Sequence, residues 1–80
     1  MSSLDPAAVA RRCQEIEPGL EGCRVTAAPG EDVWELRIEC PPHSHRLRVD
    51  ALYIEECLRG GDCRHLQEIL AEVCRYLEGR

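Results

Sequence analysis

The chain has 80 residues, 44% of them hydrophobic and 31% charged, with a formal net charge of −5. That length makes one small α+β domain, residues 1–80, which buries only about 60% of its unfolded surface. The acidic balance excludes a nucleic-acid binder built on Lys/Arg patches, and no apolar run approaches the ~20 residues of a membrane span.

Lys, Asn and Phe are missing, and all ten basic residues are arginines. The codons of the absent residues are A/T-rich, so a G/C-rich bacterial coding sequence accounts for the bias. Met1-Ser2-Ser3-Leu4-Asp5 has neither the basic nor the apolar region of a signal peptide. A cytoplasmic location is therefore expected, and in that compartment thiols stay reduced.

The first helix opens with Asp5 as N-cap and Pro6 at the first helical position, with Leu4 able to pack on Val9. Val9, Cys13 and Ile16 recur at helical spacing as one apolar stripe. Pro18-Gly19 ends the element. Cys23, Val25 and Ala27 then alternate with Arg24 and Thr26 as a strand. Pro29-Gly30-Glu31-Asp32 is turn chemistry. Trp34, Leu36, Ile38 and Cys40 alternate with Glu35, Arg37 and Glu39, the cleanest strand pattern in the chain. Pro41-Pro42-His43-Ser44 forms a connection, and Leu47 and Val49 alternate with Arg46 and Arg48 in a third strand. One wet and one apolar face with short joins predict an antiparallel sheet.

Asp50 caps a short helix through Leu58 with Ile54, Cys57 and Leu58 inward. The β character of Leu52-Tyr53-Ile54 leaves open that the third strand runs on through Tyr53. Gly60-Gly61 breaks the chain. Asp62 caps a long helix on which Leu66, Ile69, Leu70, Val73, Cys74 and Leu77 form a wide stripe, closed by Gly79. The predicted order is α-β-β-β-α-α, with the helices on one sheet face. This order is similar to that of double-stranded-RNA-binding domains and, with additions, of acidic bacterial secretion chaperones. The segment where an RNA-binding second helix carries basic residues reads Asp62-Cys63-Arg64-His65 here, with glutamates following.

The six cysteines fall mostly on inward positions: Cys13, Cys57 and Cys74 on helix faces, Cys23 and Cys40 on strands. They read as reduced core-filling side chains, a disulfide framework being the alternative. Two chemical sites compete with that reading. Cys40, His43 and His45, with Cys63 and His65, offer thiolate and imidazole donors for Zn²⁺. Cys63 at a helix start, beside Arg64 and His65, suits a reactive thiol with Cys57 as its resolving partner.

The outer sheet face mixes Arg24, Arg37, Arg46 and Arg48 with Glu35 and Glu39, which cross-strand pairing explains. Glu55, Glu56, Glu68, Glu72 and Glu78 lie on wet helix faces without a partner that would make them acid–base catalysts. Gly60-Gly61-Asp62 lacks the Lys of a phosphate loop. The expected function is a small protein-binding domain, adaptor- or chaperone-like and without catalytic activity. It is expected to pair as a homodimer through the long C-terminal helix or a sheet edge, with Trp34, Leu66, Ile69, Leu70, Val73 and Leu77 as interface residues. The alternative is a zinc- or thiol-dependent module.

Overall fold

The computed structural model describes residues 4–78; the expected helix stop at Gly79 and the residues Met1–Ser3 lie outside them. The elements run α1 (Pro6–Ile16), a 3₁₀ turn (Pro18–Leu20), β1 (Arg24–Ala28), β2 (Val33–Cys40), β3 (His43–Asp50), α2 (Ala51–Leu58) and α3 (Arg64–Glu78). The strands form an antiparallel meander in the order β1-β2-β3. Against it, α1 lies on β1 and α3 on β3, while α2 contacts β2, β3 and both other helices. The α+β arrangement and its element order are those the sequence predicts.

Local chemistry sets each boundary. Asp5 accepts a hydrogen bond from the Ala7 amide at 3.1 Å, and Pro6 occupies a position whose amide would have no helical partner. Asp50 accepts from the Leu52 amide at 2.9 Å and turns the chain from β3 directly into α2. A proper N-cap outweighs the β propensity of Leu52-Tyr53-Ile54, so the third strand stops at Asp50. The Ala51 amide donating to the Asp32 carbonyl at 2.9 Å pins that junction to the β1–β2 turn.

Helix α2 ends on a Schellman motif. The Gly60 amide donates to Cys57 at 3.3 Å and the Gly61 amide to Glu56 at 2.8 Å. Gly60 carries the positive φ of 87° that the motif demands. Asp62 accepts from the Arg64 amide at 2.8 Å; α3 itself begins at Arg64, leaving Cys63 in the half-turn before it.

The β2–β3 connection is shorter than the sequence suggests. Cys40 pairs with His43, so Pro41-Pro42 alone makes the turn, with a cis peptide between them, and His43 and Ser44 belong to β3. A cis proline at the third position of a four-residue turn closes a tight reversal without an extra residue.

The core collects Val9 and Cys13 from α1, Leu20 from the 3₁₀ turn, Ala27 from β1 and Trp34, Leu36 and Ile38 from β2. Val49, Ile54, Cys57, Leu66, Leu70, Val73, Cys74 and Leu77 complete it. Ile69 is only partly buried beside them. Trp34, Leu66, Leu70, Val73 and Leu77, expected at a dimer interface, are thus interior residues of the single chain. The stripe of α3 is consumed by its own sheet and by α1 and α2.

The cysteines require a larger correction. Cys23 and Cys40 form a disulfide, with Cα atoms 4.5 Å apart, and so do Cys57 and Cys63, also with Cα atoms 4.5 Å apart. Only Cys13 and Cys74 remain as buried thiols. The β1–β2 register explains the first bridge. Arg24 lies opposite Glu39, so the next position outward sets Cys23 opposite Cys40 on the inner face. Directly opposed residues of a non-hydrogen-bonded antiparallel pair stand ~4.5 Å apart at Cα, within disulfide reach. The Schellman turn explains the second, since Gly60-Gly61-Asp62 folds Cys63 back onto the last turn of α2.

Candidate functional site

Two surface regions concentrate chemistry, and they lie toward opposite ends of α3. The first is at the β3–α2 junction. Four large hydrophobic residues among those described are exposed: Leu52 at 69%, Tyr76 at 51%, Val33 at 41% and Tyr53 at 36%. Two of these, Leu52 and Tyr53, lie here, and Val33 stands on the outward side of β2, away from the buried Trp34. Val33 pairs with Asp50, the cap of α2, and Leu52 and Tyr53 occupy that helix's first turn.

Because α2 turns Ile54 and Cys57 into the core, its helical period directs Leu52, Tyr53 and Glu56 to solvent. Leu52 and Tyr53 line a shallow groove of about 500 Å³ with Glu55, Glu56, Arg59 and Gly61. The ring of His65 stacks on Tyr53 at 4.8 Å and fixes its orientation. Val33, Leu52 and Tyr53 are absent from the residues the sequence singles out. The signal was the same α2 period that assigns Ile54, Cys57 and Leu58 inward.

The second region surrounds the Cys23–Cys40 bridge. A cleft of about 230 Å³ is lined by Gly19, Cys23, Cys40, His43, Cys74, Leu77 and Glu78. Gly19 allows α3 to approach here: a Cβ on it would stand 3.1 Å from the Cys74 sulfur and 2.8 Å from a Glu17 carboxylate oxygen. Burial raises the Cys74 thiol pKa above its ordinary value, and the Glu17 and Glu78 carboxylates push it the same way. Burial alone pushes Cys13 up to about 11. Both thiols are therefore protonated and unreactive near neutrality.

The five residues expected to share a zinc ion are divided between these regions. Cys40 is bridged to Cys23, with His43 opposite it, and the half-buried His45 packs its ring on Tyr76 at 5.3 Å. Cys63 and His65 sit at the other end of α3. At 1.5 Å rise per residue, position 63 lies roughly 16 Å along the helix axis from Cys74, too far for one ion. As the chain stands, no group of three or more His, Cys, Asp or Glu among the described residues is placed to hold a metal. Cys57 and Cys63, expected as resolving and attacking thiols, are brought together as a disulfide.

The outer sheet face is open. Arg37 and Glu39 approach at 3.5 Å and Arg46 and Glu35 at 3.8 Å, both pairs well exposed. Such pairs contribute at most ~1 kcal/mol each. No helix among the described residues is long and apolar enough to cross a membrane. Compared with protein-family models, characterised proteins and solved structures, the chain matches none.

Proposed function

We propose that the chain is a small, disulfide-braced protein-binding domain, adaptor- or chaperone-like and without catalytic activity, that pairs with a second copy of itself through the β3–α2 junction. The carrying observation is that Leu52 and Tyr53 stand exposed side by side on α2 and line one groove, while the stripe of α3 is buried. Clustered exposed apolar residues on a domain this small are a signature of association. The patch is ringed by both signs of charge, Glu55, Glu56 and Arg59. A two-fold contact needs such self-complementarity, because each surface meets its own copy.

A contact of standard size takes about 800 Å² from each partner, a modest share of the chain's 5373 Å². Disulfides persist in oxidising surroundings and are reduced in the cytosol. The bridged form therefore fits an oxidising compartment better than the cytoplasm expected from the sequence.

Sedimentation equilibrium of the wild type and of Leu52→Glu tests the reading. A wild-type dimer that dissociates in the variant, with unchanged circular dichroism, is the expected result. A wild type that stays monomeric at high concentration, or a dimer indifferent to the charge at position 52, contradicts it.

A further inference from the structure

The three sulfurs and one imidazole around the cleft at the end of β2 have no role in the association just described. Cys23 and Cys40 lie directly opposite each other, His43 is the cross-strand partner of Cys40, and Cys74 reaches the same cleft from α3. We propose that reduction of the Cys23–Cys40 disulfide converts this cleft into a zinc site with Cys23, Cys40, Cys74 and His43 as ligands.

The chemistry balances with a dithiol as reductant. The dithiol gives two electrons and two protons to the Cys23–Cys40 bond and leaves as its own disulfide, freeing two thiols. Zinc then displaces three thiol protons, from Cys23, Cys40 and Cys74, and takes the lone pair of neutral His43. The product is a four-coordinate centre of charge −1. Three thiolates and one imidazole are a standard structural zinc set.

Four features of the fold favour that set. Tetrahedral thiolates at a Zn–S distance of ~2.3 Å sit ~3.8 Å apart. Rotation about the Cα–Cβ bonds of two opposed cysteines reaches that spacing without breaking the strand register. His43 is exposed and follows the tight Pro41-Pro42 turn directly, so it is positioned by backbone and not by core packing. Gly19 lets Cys74 approach closely, which holds the end of α3 against the cleft. Glu78 lines the cleft and the Glu17 carboxylate approaches Gly19 on the same side as the Cys74 sulfur, so negative charge stands where a divalent cation would bind. That field also argues against Cys74 attacking the adjacent disulfide, since exchange requires the thiolate.

The ligands come from the start of β1, the β2–β3 hairpin and α3. Metal would therefore tie the same elements in a reducing compartment that the disulfide and core packing tie in an oxidising one. The binding free energy of a structural zinc is folding free energy, so the site would replace what reduction removes.

The test uses the full chain, reduced with a phosphine under anaerobic conditions and titrated with Co²⁺ and then Zn²⁺. The expected result is one equivalent of cobalt with tetrahedral visible bands and a sulfur-to-cobalt charge-transfer band, bleached by one equivalent of zinc. Cys74→Ser should lower the charge-transfer intensity by about a third, one thiolate of three. His43→Ala, at an exposed position that leaves the core untouched, should weaken cobalt binding at least about tenfold. A Cys57→Ser/Cys63→Ser chain should bind as the wild type does. Absence of tetrahedral cobalt in the wild type overturns the proposal. So does a spectrum unchanged by both Cys74→Ser and His43→Ala, or one lost with Cys57 and Cys63.

Discussion

Replacing Cys23 and Cys40 together by alanine removes the bridge that closes the β1–β2 hairpin, and its cost follows from the length of chain it closes. The two residues are 17 apart in sequence. Loop-closure entropy for a segment of that length gives about 3 kcal/mol of destabilisation. The Cys57–Cys63 bridge spans only 6, and the same relation gives about 2 kcal/mol. An 80-residue domain has roughly 4–12 kcal/mol in total, so the larger bridge is a sizeable share.

At 4–8 °C per kcal/mol for a domain of this size, the Cys23→Ala/Cys40→Ala chain should melt roughly 12–24 °C below the wild type. The Cys57→Ala/Cys63→Ala chain should melt roughly 8–16 °C below. Thermal unfolding followed by circular dichroism, without reductant, measures both. Equal melting temperatures in all three chains would refute the assignment of the bridges as braces. A larger loss from the shorter bridge would refute the entropic origin of the difference.

Three further outcomes follow from other parts of the fold. Gly60→Ala places a Cβ in the left-handed region and should cost about 1 kcal/mol, read as a lower urea midpoint with an unchanged slope. The Cys13 thiol, pushed from 9.0 up to about 11 by burial, holds its proton more tightly in the native than in the unfolded state. Its contribution is complete below pH 9 and is lost as pH rises through 11, at up to about 1.4 kcal/mol per pH unit. Urea titrations across that window should show a shallower alkaline decline in Cys13→Ala, and an identical decline would contradict the burial argument. Exposed Leu52→Glu should leave thermal stability within about 0.5 kcal/mol of the wild type while abolishing the dimer.

The elements were readable because they depend on short-range chemistry. Asp5-Pro6 and Asp50 cap helices wherever they occur, and the alternation from Trp34 to Cys40 needs only a sheet with one buried face. What failed depends on register. Inward-facing cysteines read as packing because nothing in a single strand says which residue lies across from it. The observed register, with Ala28 opposite Glu35, centres the reversal between Glu31 and Asp32, and that centre sets Cys23 opposite Cys40. A reversal centred on the Pro29–Asp32 turn that the sequence marks would set Cys23 opposite Ile38, so the pairing is not legible from the turn alone.

The zinc reading takes the Cys40, His43 and His45 hairpin as one half of a site and Cys63 with His65 as the other; the length of α3 sets the halves apart and places Cys74 at the same cleft as His43. The wide apolar stripe of α3 reads as an interface as long as its partners within the fold are not known. Leu20, invisible to any periodic pattern, and the faces of α1 and α2 consume it. The unclaimed apolar surface is then Leu52 and Tyr53 on α2.

Sulfur that braces the fold, with two thiols sealed inside it, is the premise on which the rest depends. Protein purified without reductant, unfolded in guanidinium and treated with iodoacetamide should take up two labels per chain, on Cys13 and Cys74. Its digest should contain linked peptides joining Cys23 to Cys40 and Cys57 to Cys63. Six labels per chain, or linkages between other partners, would contradict it.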